Sequence, residues 1–267
     1  MSIKFLKMSG AGNDFIMIDN RNGEYTSTLT RDRIADICRR GLSVGADGLI
    51  ELVNHSKYRF AMKYFNSDGG AAGMCGNGAR CICCFAAELG IVEKGVEFMF
   101  ASDAGSHHGL VTGNSEARIW LTKPVLHFLQ KDIGVENELQ AGYADTGVPH
   151  AVIFSKDIED GSFEKYAPMV RSHAEFGIHG ANANWVKVLE DGSLIMRTFE
   201  RGVEGETLAC GTGAVASALI ASERFDSVNL PVRIAVRSGL CLTVGRDSRG
   251  WWLQGEARII YRAETVS

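Results

Sequence analysis

The stretch that decides the fold is Cys75 to Leu89, with the sequence CGNGARCICCFAAEL. Its opening residues return at Cys210 as CGTGA, and a similarly apolar run, VASALIASE, follows them. A helix that is apolar on nearly every side is buried on most of its sides. We therefore predict helices over about 78–89 and 213–223, each at the centre of a β-sheet that wraps around it.

These two copies belong to a longer repeat, in which Cys210 follows Cys75 by 135 residues. Other matches at 134 or 135 residues are Gly12 with Gly147, Gly45-Ala46-Asp47 with Gly180-Ala181-Asn182, and Met62-Lys63-Tyr64-Phe65 with Met196-Arg197-Thr198-Phe199. A period of domain size indicates a duplicated unit. We predict an α/β (α+β) fold of two pseudo-symmetric domains, 1–120 and 121–257, with the active site in the cleft between them. A C-terminal strand at about 258–267 is expected to pack back onto the first domain.

Short runs rich in β-branched and aromatic residues predict strands in both halves. They lie at 15–18, 49–53, 60–65, 118–121, 151–154, 185–189, 194–199, 232–236 and 251–254. Two more helices are expected outside the central pair. Thr30 caps the first, which runs to about Arg40, and the second spans 166–173 with Pro168 in its first turn.

The composition argues against several classes of protein. Apolar residues form 45% of the 267-residue chain, enough to bury a core in each of about two domains. The net charge of −4 disfavours a nucleic-acid-binding surface. No apolar run approaches the ~18 residues of a membrane span, and the N-terminal segment lacks the apolar core of a secretory signal. Together with an odd number of cysteines, seven, these features predict a cytoplasmic protein with reduced thiols.

Cys75 and Cys210 stand where the central helices begin, and that position activates a thiol. Unpaired backbone N–H groups and the positive end of the helix dipole both stabilise a thiolate. Asn77 and Thr212, both good N-cap residues, are expected to cap the helices. The same N–H groups can hold a carboxylate. Two such thiols could remove a proton from one face of a carbon and return one to the other, which predicts an enzyme that inverts a carbon beside a carboxylate.

Plainer interpretations compete with this one. A single Cys-Gly-x-Gly-Ala motif is more often a buried turn of small residues than a catalytic site. Cys81, Cys83 and Cys84 lack the paired C-x2-C spacing of zinc sites, so we expect them to pack in the core and expect no metal. If Cys75 and Cys210 face each other, the protein could also be a non-enzymatic thiol switch in which they form a disulfide.

Seven motifs occur in an order that resembles diaminopimelate epimerases. They are GAGNDF (10–15), GADGLI (45–50), FNSDG (65–69), CGNGARC (75–81), GVPH (147–150), GANANW (180–185) and ERGVEGETLACGTGA (200–214). The resemblance covers nearly the whole chain. It implies a homodimer that interconverts LL- and meso-2,6-diaminoheptanedioate, for lysine and peptidoglycan precursor synthesis, without a cofactor or a metal.

The resemblance also implies roles for particular residues. Cys75 and Cys210 would be the catalytic pair, with Cys75 donating and Cys210 accepting the proton in the LL-to-meso direction. The implied contacts to the amino-acid substrate are Asn13, Asn66, Gly76, Asn77, Asn182, Glu200, Arg201, Gly211 and Thr212. His150 and Glu200 would be supporting polar groups near the thiols.

Three features depart from the family pattern. Gly48 stands where some members have a glutamine that contacts substrate, and Val148 stands where some have asparagine. The loop at 202–207, which precedes Cys210, is one residue longer than the commoner form.

Proline-racemase-like and phenazine-pathway-like isomerases are the alternative resemblances. Proline racemases share the paired thiols, but the GNDF and ERGxxGET motifs fit diaminopimelate epimerases better.

Overall fold

The computed structural model describes residues 2–135 and 139–266. The chain divides into two compact units, one running to Ile119 and resuming at Gln254, the other spanning Trp120–Leu253. Both units combine helices with β-sheet, which confirms the predicted α/β class. No helix among the described residues is long and apolar enough to cross a membrane.

Four α-helices occur in the described part of the chain. They are α1 (Arg31–Cys38), α2 (Gly76–Glu88), α3 (Ser162–Arg171) and α4 (Gly211–Arg224), and a short 3-10 helix covers Ala174–Phe176. Strands before residue 121 are β1 (Lys4–Gly10), β2 (Asn13–Asp19), β3 (Gly48–Val53), β4 (Ala61–Asn66), β5 (Ala71–Ala72), β6 (Phe98–Ser102), β7 (Gly105–Gly113) and β8 (Glu116–Trp120). Those that follow are β9 (Val125–Asp132), β10 (Gln140–Asp145), β11 (Pro149–Phe154), β12 (Asn182–Val188), β13 (Leu194–Glu200), β14 (Gly205–Thr207), β15 (Val232–Ala235), β16 (Cys241–Asp247), β17 (Gly250–Glu256) and β18 (Arg258–Glu264). Every predicted strand falls on one of these.

The two units repeat one topology. In the first, β2 runs parallel to β3 with α1 between them in sequence, and β3 pairs antiparallel with β4. The short β5 then pairs with β4, and α2 follows. In the second, β11 runs parallel to β12 across α3, β12 pairs antiparallel with β13, and β14 leads into α4. β6 joins β4 and β15 joins β13 in parallel, so the predicted pseudo-symmetry is confirmed.

The central helices lie inside their sheets, as predicted. α2 packs against β1, β2, β3, β4 and β7, and every residue from Asn77 to Ala86 is buried. α4 packs against β9, β10, β11, β12 and β16, and every residue from Gly213 to Ala221 is buried. The two helices begin at Gly76 and Gly211, two residues earlier than expected. Burial of these small and apolar side chains supplies the driving force that holds each sheet around its helix.

The predicted capping residues were wrong, because the cysteines themselves are the N-caps. Cys75 and Cys210 have extended backbones, and their carbonyls accept the first helical N–H groups, from Ala79 at 2.7 Å and Ala214 at 2.9 Å. The side chain of Asn77 instead bonds to Asn13 and Arg80, and that of Thr212 contacts His150 and Cys210.

The remaining helices also refine the prediction. Thr30 caps α1 as expected, with its hydroxyl accepting the N–H of Arg33 at 3.3 Å, and α1 ends at Cys38. α3 starts at Ser162, because its buried face already includes Phe163. Pro168 therefore lies in the middle of α3 instead of its first turn.

α2 ends in a Schellman motif. The N–H of Gly90 donates to the carbonyl of Ala87 at 3.0 Å, and the N–H of Ile91 donates to Ala86 at 2.9 Å. Gly90 adopts a φ of 71°, in the left-handed region that closes this motif.

Replacing Gly90 with alanine should lower the free energy of unfolding by about 1 kcal/mol, because a Cβ is strained at positive φ. A new Cβ meets no atom within 4 Å there, so backbone strain is the whole cost. Gly113, which has an ordinary φ and room for a methyl group, is the matched control. Urea unfolding of both alanine variants checks this, and equal stabilities would contradict it.

Candidate functional site

Cys75 sits at the N-terminus of α2 with its sulfur turned toward the helix backbone. Its side chain is partly exposed, and its Sγ accepts the N–H of Gly78 at 3.5 Å. The sulfur thus takes the place that an oxygen holds in an ordinary N-cap. The N–H of Gly78 and the helix dipole both favour the thiolate there.

Polar side chains around the start of α2 form one connected set. The Asn77 side chain is buried and donates to Asn13 Oδ1. Asn13 Nδ2 donates to Asp47 Oδ2 at 2.9 Å, and Asp47 also accepts from Arg40 at 2.7 Å. The structure therefore brings together two predicted site residues, Asn13 and Asn77, at the helix that carries Cys75.

An ion pair behind this set fixes the start of β2. Lys7, which is buried, pairs with Asp14 at 2.8 Å, and Arg40 also contacts Asp14. Burial alone would raise the pKa of the Asp14 carboxyl, but the hydrogen bonds from Arg40 and Lys7 outweigh it and lower that pKa. Asp14 therefore stays ionised and holds the strand that presents Asn13.

Sequence reasoning missed Asp47, Asp14 and Arg40 as parts of this site. Asp47 had a usable signal, since it matches Asn182 in the repeat.

Asn66, a predicted substrate contact, lies apart from this connected set of polar side chains. It lies exposed at the end of β4, and its backbone starts the turn to Gly70.

Gly48 lies directly opposite Asn66 in the β3–β4 pairing. A Cβ at Gly48 would sit 2.5 Å from the Phe65 carbonyl oxygen and 2.7 Å from Tyr64 Cε2. Side chains therefore do not fit at Gly48 in this structure, and the ring of Tyr64 fills that space.

Cys210 sits at the N-terminus of α4, where a buried chain of polar groups reaches its sulfur. Only 5% of Cys210 is exposed. Its Sγ lies 3.4 Å from Thr212 Oγ1, which lies 3.0 Å from Nε2 of His150. His150 is fully buried, so the predicted residues Thr212 and His150 are both placed beside the thiol.

The hydrogen bonds of Asn184 fix the tautomer of His150. Asn184 Nδ2 donates to the Ala151 carbonyl at 3.2 Å, while its Oδ1 accepts from Thr198 Oγ1 at 2.9 Å. The same Nδ2 lies 3.0 Å from His150 Nδ1, which must therefore be the acceptor. The proton of the neutral ring is then on Nε2, directed at Thr212.

Electrostatics keep this imidazole neutral. Burial, and then the charge of Arg201, lower the pKa of His150 to about 3. A neutral Nε2–H donates to Thr212, whose own O–H is then free to donate to Cys210 Sγ. This chain of donors stabilises a thiolate at Cys210.

Asn182 connects this chain to the end of β13. Its Nδ2 lies farther from the ring, 3.4 Å from His150 Nε2, so the shorter Asn184 contact sets the tautomer. Asn182 Oδ1 accepts the backbone N–H of Arg201 at 2.7 Å. Glu200 is the last residue of β13, and its carbonyl accepts the N–H of Glu204. The predicted residues 200–201 therefore stand beside the Asn182 amide.

The sequence analysis did not identify Asn184 or Thr198 as site residues, although Asn184 lies in the GANANW motif. Gly213 makes room for the Asn184 side chain, because a Cβ at position 213 would lie 2.5 Å from Asn184 Oδ1 and 3.3 Å from Cys210 Sγ. Only glycine lets the amide of Asn184 approach the first turn of α4 this closely.

The longer loop before Cys210 is held by Arg197. This guanidinium is 2% exposed and binds Glu206 with two bonds, at 2.8 and 2.9 Å. It also contacts Glu164 at 2.6 Å and Glu159 at 3.1 Å. The loop therefore returns to the sheet as β14, with its turn around Glu204, whose φ is 55°.

The other cysteines of α2 are core thiols, as predicted. Cys81, Cys83 and Cys84 are buried, and burial raises the pKa of all three, that of Cys84 to about 12. Within 2–135 and 139–266, no cluster of three or more His, Cys, Asp or Glu side chains has the arrangement of a metal site.

Comparison with known sequences gives one family. The sequence pattern described as diaminopimelate epimerase matches residues 5–117 and 142–260. The diaminopimelate epimerase of Chlorobaculum tepidum is 38% identical over 262 residues, which cover 96% of this chain and 98% of that protein.

Solved structures share the fold at lower identity. A phenazine biosynthesis protein of the PhzF family from Bacillus anthracis covers 100% of both chains with a TM-score of 0.76 and 14% identity. A probable proline racemase from Agrobacterium radiobacter, solved with bound carbonate, covers 99% of this chain and 93% of its own, with a TM-score of 0.71 and 13% identity. Such identities show a common fold alone.

Replacing Thr212 with valine should raise the pH at which Cys210 becomes reactive by about one unit, since the thiolate loses a hydroxyl donor. Thr212→Ser keeps the hydroxyl and should behave like the unaltered protein. The pH dependence of iodoacetamide labelling, read at the Cys210 peptide, measures this. A valine variant with an unshifted midpoint would show that the hydroxyl does not act on the sulfur.

His150 should make stability fall as the pH drops below 6.5. Between pH 6.5 and about 3, the unfolded chain binds a proton at His150 that the folded chain excludes, so acid favours unfolding. From pH 7 to 5.5 this loss amounts to about 1 kcal/mol. His150→Gln has no such proton and should show a shallower slope in urea titrations. Parallel slopes would refute a neutral buried His150.

Proposed function

The chain belongs to the diaminopimelate epimerase family, and we propose that it interconverts LL- and meso-2,6-diaminoheptanedioate with Cys75 and Cys210 as its acid and base. Family membership makes the protein an isomerase of the epimerase type and supports a part in lysine biosynthesis. The observation that carries the two-thiol proposal is that each cysteine is the N-cap of a buried helix.

The proposed reaction inverts one α-carbon by two proton transfers. A thiolate removes the α-proton from one face and becomes a thiol. The thiol on the opposite face gives its proton to the carbanion and becomes the thiolate. The atoms balance without an oxidant, and the reverse direction exchanges the two roles. In the LL-to-meso direction Cys75 is the donor and Cys210 the acceptor, which requires both sulfurs to reach the same carbon.

The carbanion intermediate needs stabilisation, which the helix starts can supply. Its charge spreads into the neighbouring carboxylate, and preorganised N–H donors are strongest where that charge develops. We assign this role to the backbone of Gly76 and Asn77 in α2 and of Gly211 and Thr212 in α4. Both pairs lie in first turns, where N–H groups lack partners within the helix.

The side chains suit a substrate with two ammonium and two carboxylate groups. The guanidinium of Arg201 can bind a carboxylate through two parallel bonds. Amides offer both a donor and an acceptor, so Asn13, Asn66 and Asn182 suit a zwitterion. Glu200 supplies a negative charge for an ammonium group. With a glycine at position 48, Tyr64 is the side chain nearest the place where some family members have a glutamine.

The setting of the enzyme follows from its chemistry. A mechanism with two thiols fails when they are oxidised, so the proposal includes a reducing compartment, the cytoplasm. It also includes a homodimer, supported by family membership. The reaction as written uses no cofactor.

Incubation with LL-diaminopimelate in deuterated water tests the proposal. The reduced protein should form the meso isomer and place solvent deuterium at the α-carbon. Cys75→Ala and Cys210→Ala should each lower the epimerisation rate by at least about 100-fold, because each removes one of two proton carriers.

Cys241→Ala is the control, since Cys241 is an exposed thiol on β16, and it should keep full activity. Epimerisation by either catalytic variant would contradict the two-thiol mechanism. If folded, reduced protein left LL-diaminopimelate unchanged, the proposed substrate would be wrong.

A further inference from the structure

A buried arginine lies one turn into α2, five residues after Cys75. Arg80 is 0% exposed. Its Nη2 donates to Asn77 Oδ1 at 2.8 Å, and its Nη1 donates to the Gly76 carbonyl at 3.2 Å. Its Nε is buried with no hydrogen-bond partner in the described chain. The guanidinium is therefore anchored to the two residues that follow Cys75.

This cation lacks the partner that a buried charge normally has. Within residues 2–135 and 139–266, no carboxylate forms an ion pair with Arg80. A guanidinium does not lose its proton in proteins, so burial cannot neutralise it. The start of a helix is also the positive end of its dipole, where a cation is unfavourable. Both effects call for a negative charge close by.

The thiols of α2 are the groups placed to supply that charge. Burial opposes ionisation of Arg80, and negative charge on Cys81 or Cys75 would favour it. Cys81, Cys83 and Cys84 are buried with raised pKa values, so they remain protonated. Cys75 is partly exposed and accepts a helical N–H, which makes it the thiol that can ionise.

Charged groups on the strands around α2 do not take this role. Four of them lie on the other face of the sheet, the one that packs against α1. They are Lys7, Asp14, Glu51 and Lys63. Lys4 and Asp19 line a groove with Leu89 at the far end of α2. Burial lowers the pKa of His107 on β7, so this imidazole is neutral. The negative charge of Glu256 on β17 contributes to the raised pKa of Cys81.

Helix α4 has no cation at the position that matches Arg80. At the repeat spacing of 135 residues, Arg80 corresponds to Val215, which is buried in α4. Cys210 Sγ lies beside the Thr212 hydroxyl, which lies beside the neutral His150. The positive charge of Arg201 acts on this imidazole. A hydrogen bond from a neutral group stabilises an anion less than a full positive charge does.

We propose that Arg80 is a positioning residue that stabilises the Cys75 thiolate and anchors Asn77, so that in the free protein Cys75, and not Cys210, carries the negative charge. The catalytic meaning of this bias rests on the proposed function. The bias itself is a property of the thiols and is measured without turnover.

Iodoacetamide labelling across a range of pH tests it on the full-length reduced protein. Trypsin releases residues 64–80 with Cys75 as the sole cysteine and residues 202–224 with Cys210 as the sole cysteine, so each thiol is read separately. Cys75 should reach half-maximal labelling rate at a lower pH than Cys210. A midpoint for Cys210 equal to or below that of Cys75 would overturn the proposal.

Variants then identify the cause. Arg80→Met should raise the Cys75 midpoint by about one pH unit or more and leave Cys210 unchanged, because a neighbouring positive charge is lost. Arg80→Lys keeps the charge and should restore most of the shift. Arg59→Met, an exposed arginine, is the control. The longer Arg80→Met peptide also contains the three core thiols, and fragment ions assign its label.

The outcomes separate charge from structure. A folded Arg80→Met protein with an unshifted Cys75 midpoint would refute the proposal, even if its activity fell. If that variant does not fold, as circular dichroism would show, the order of the two midpoints in the unaltered protein decides. Absence of epimerisation would count against the proposed function and leave this result intact.

Discussion

The structure depends on one constraint, that the start of a buried helix must find partners for its N–H groups. Here the residue at that point is a cysteine, and at α2 its sulfur accepts the N–H of Gly78. Small residues must follow so that the sheet can close around the first turn, and apolar residues must follow them so that the helix stays inside. The CGxGA motif and the run behind it thus meet a packing requirement and an electrostatic one at the same time.

The same frame carries two different thiol environments. At α2 the surroundings are ionic, with an arginine behind the cysteine and the Lys7–Asp14–Arg40 cluster holding the adjoining strand. At α4 the groups linked to the sulfur are a neutral hydroxyl, imidazole and amide in a line, and the charge of Arg201 acts on the imidazole. Duplicated topology therefore does not enforce duplicated chemistry, because the backbone repeats while the side chains that face the sulfurs do not.

Much of this was predictable from the sequence, because the repeat constrains topology and apolar patterning identifies the central helices. What escaped prediction depends on contacts between distant residues. Asn184 contacts His150 across 34 positions, and Asp47 contacts Asn13 across the same number. Local sequence patterns do not pair residues at that separation, and only the repeat marks Asp47, through its match to Asn182. The capping error had another origin. Asparagine and threonine are far commoner caps than cysteine, so propensity favoured Asn77 and Thr212 over the residues that occupy the position.

Burial of Cys81, Cys83 and Cys84 determines which thiols peroxides can oxidise. Sulfenic acid forms from the ionised sulfur, so three of the four sulfurs on or capping α2 are poor targets while the fourth is not. Oxidative damage would then concentrate at the helix entrance and spare its interior. Inactivation would precede any loss of fold, and a cellular thiol reductant could reverse it.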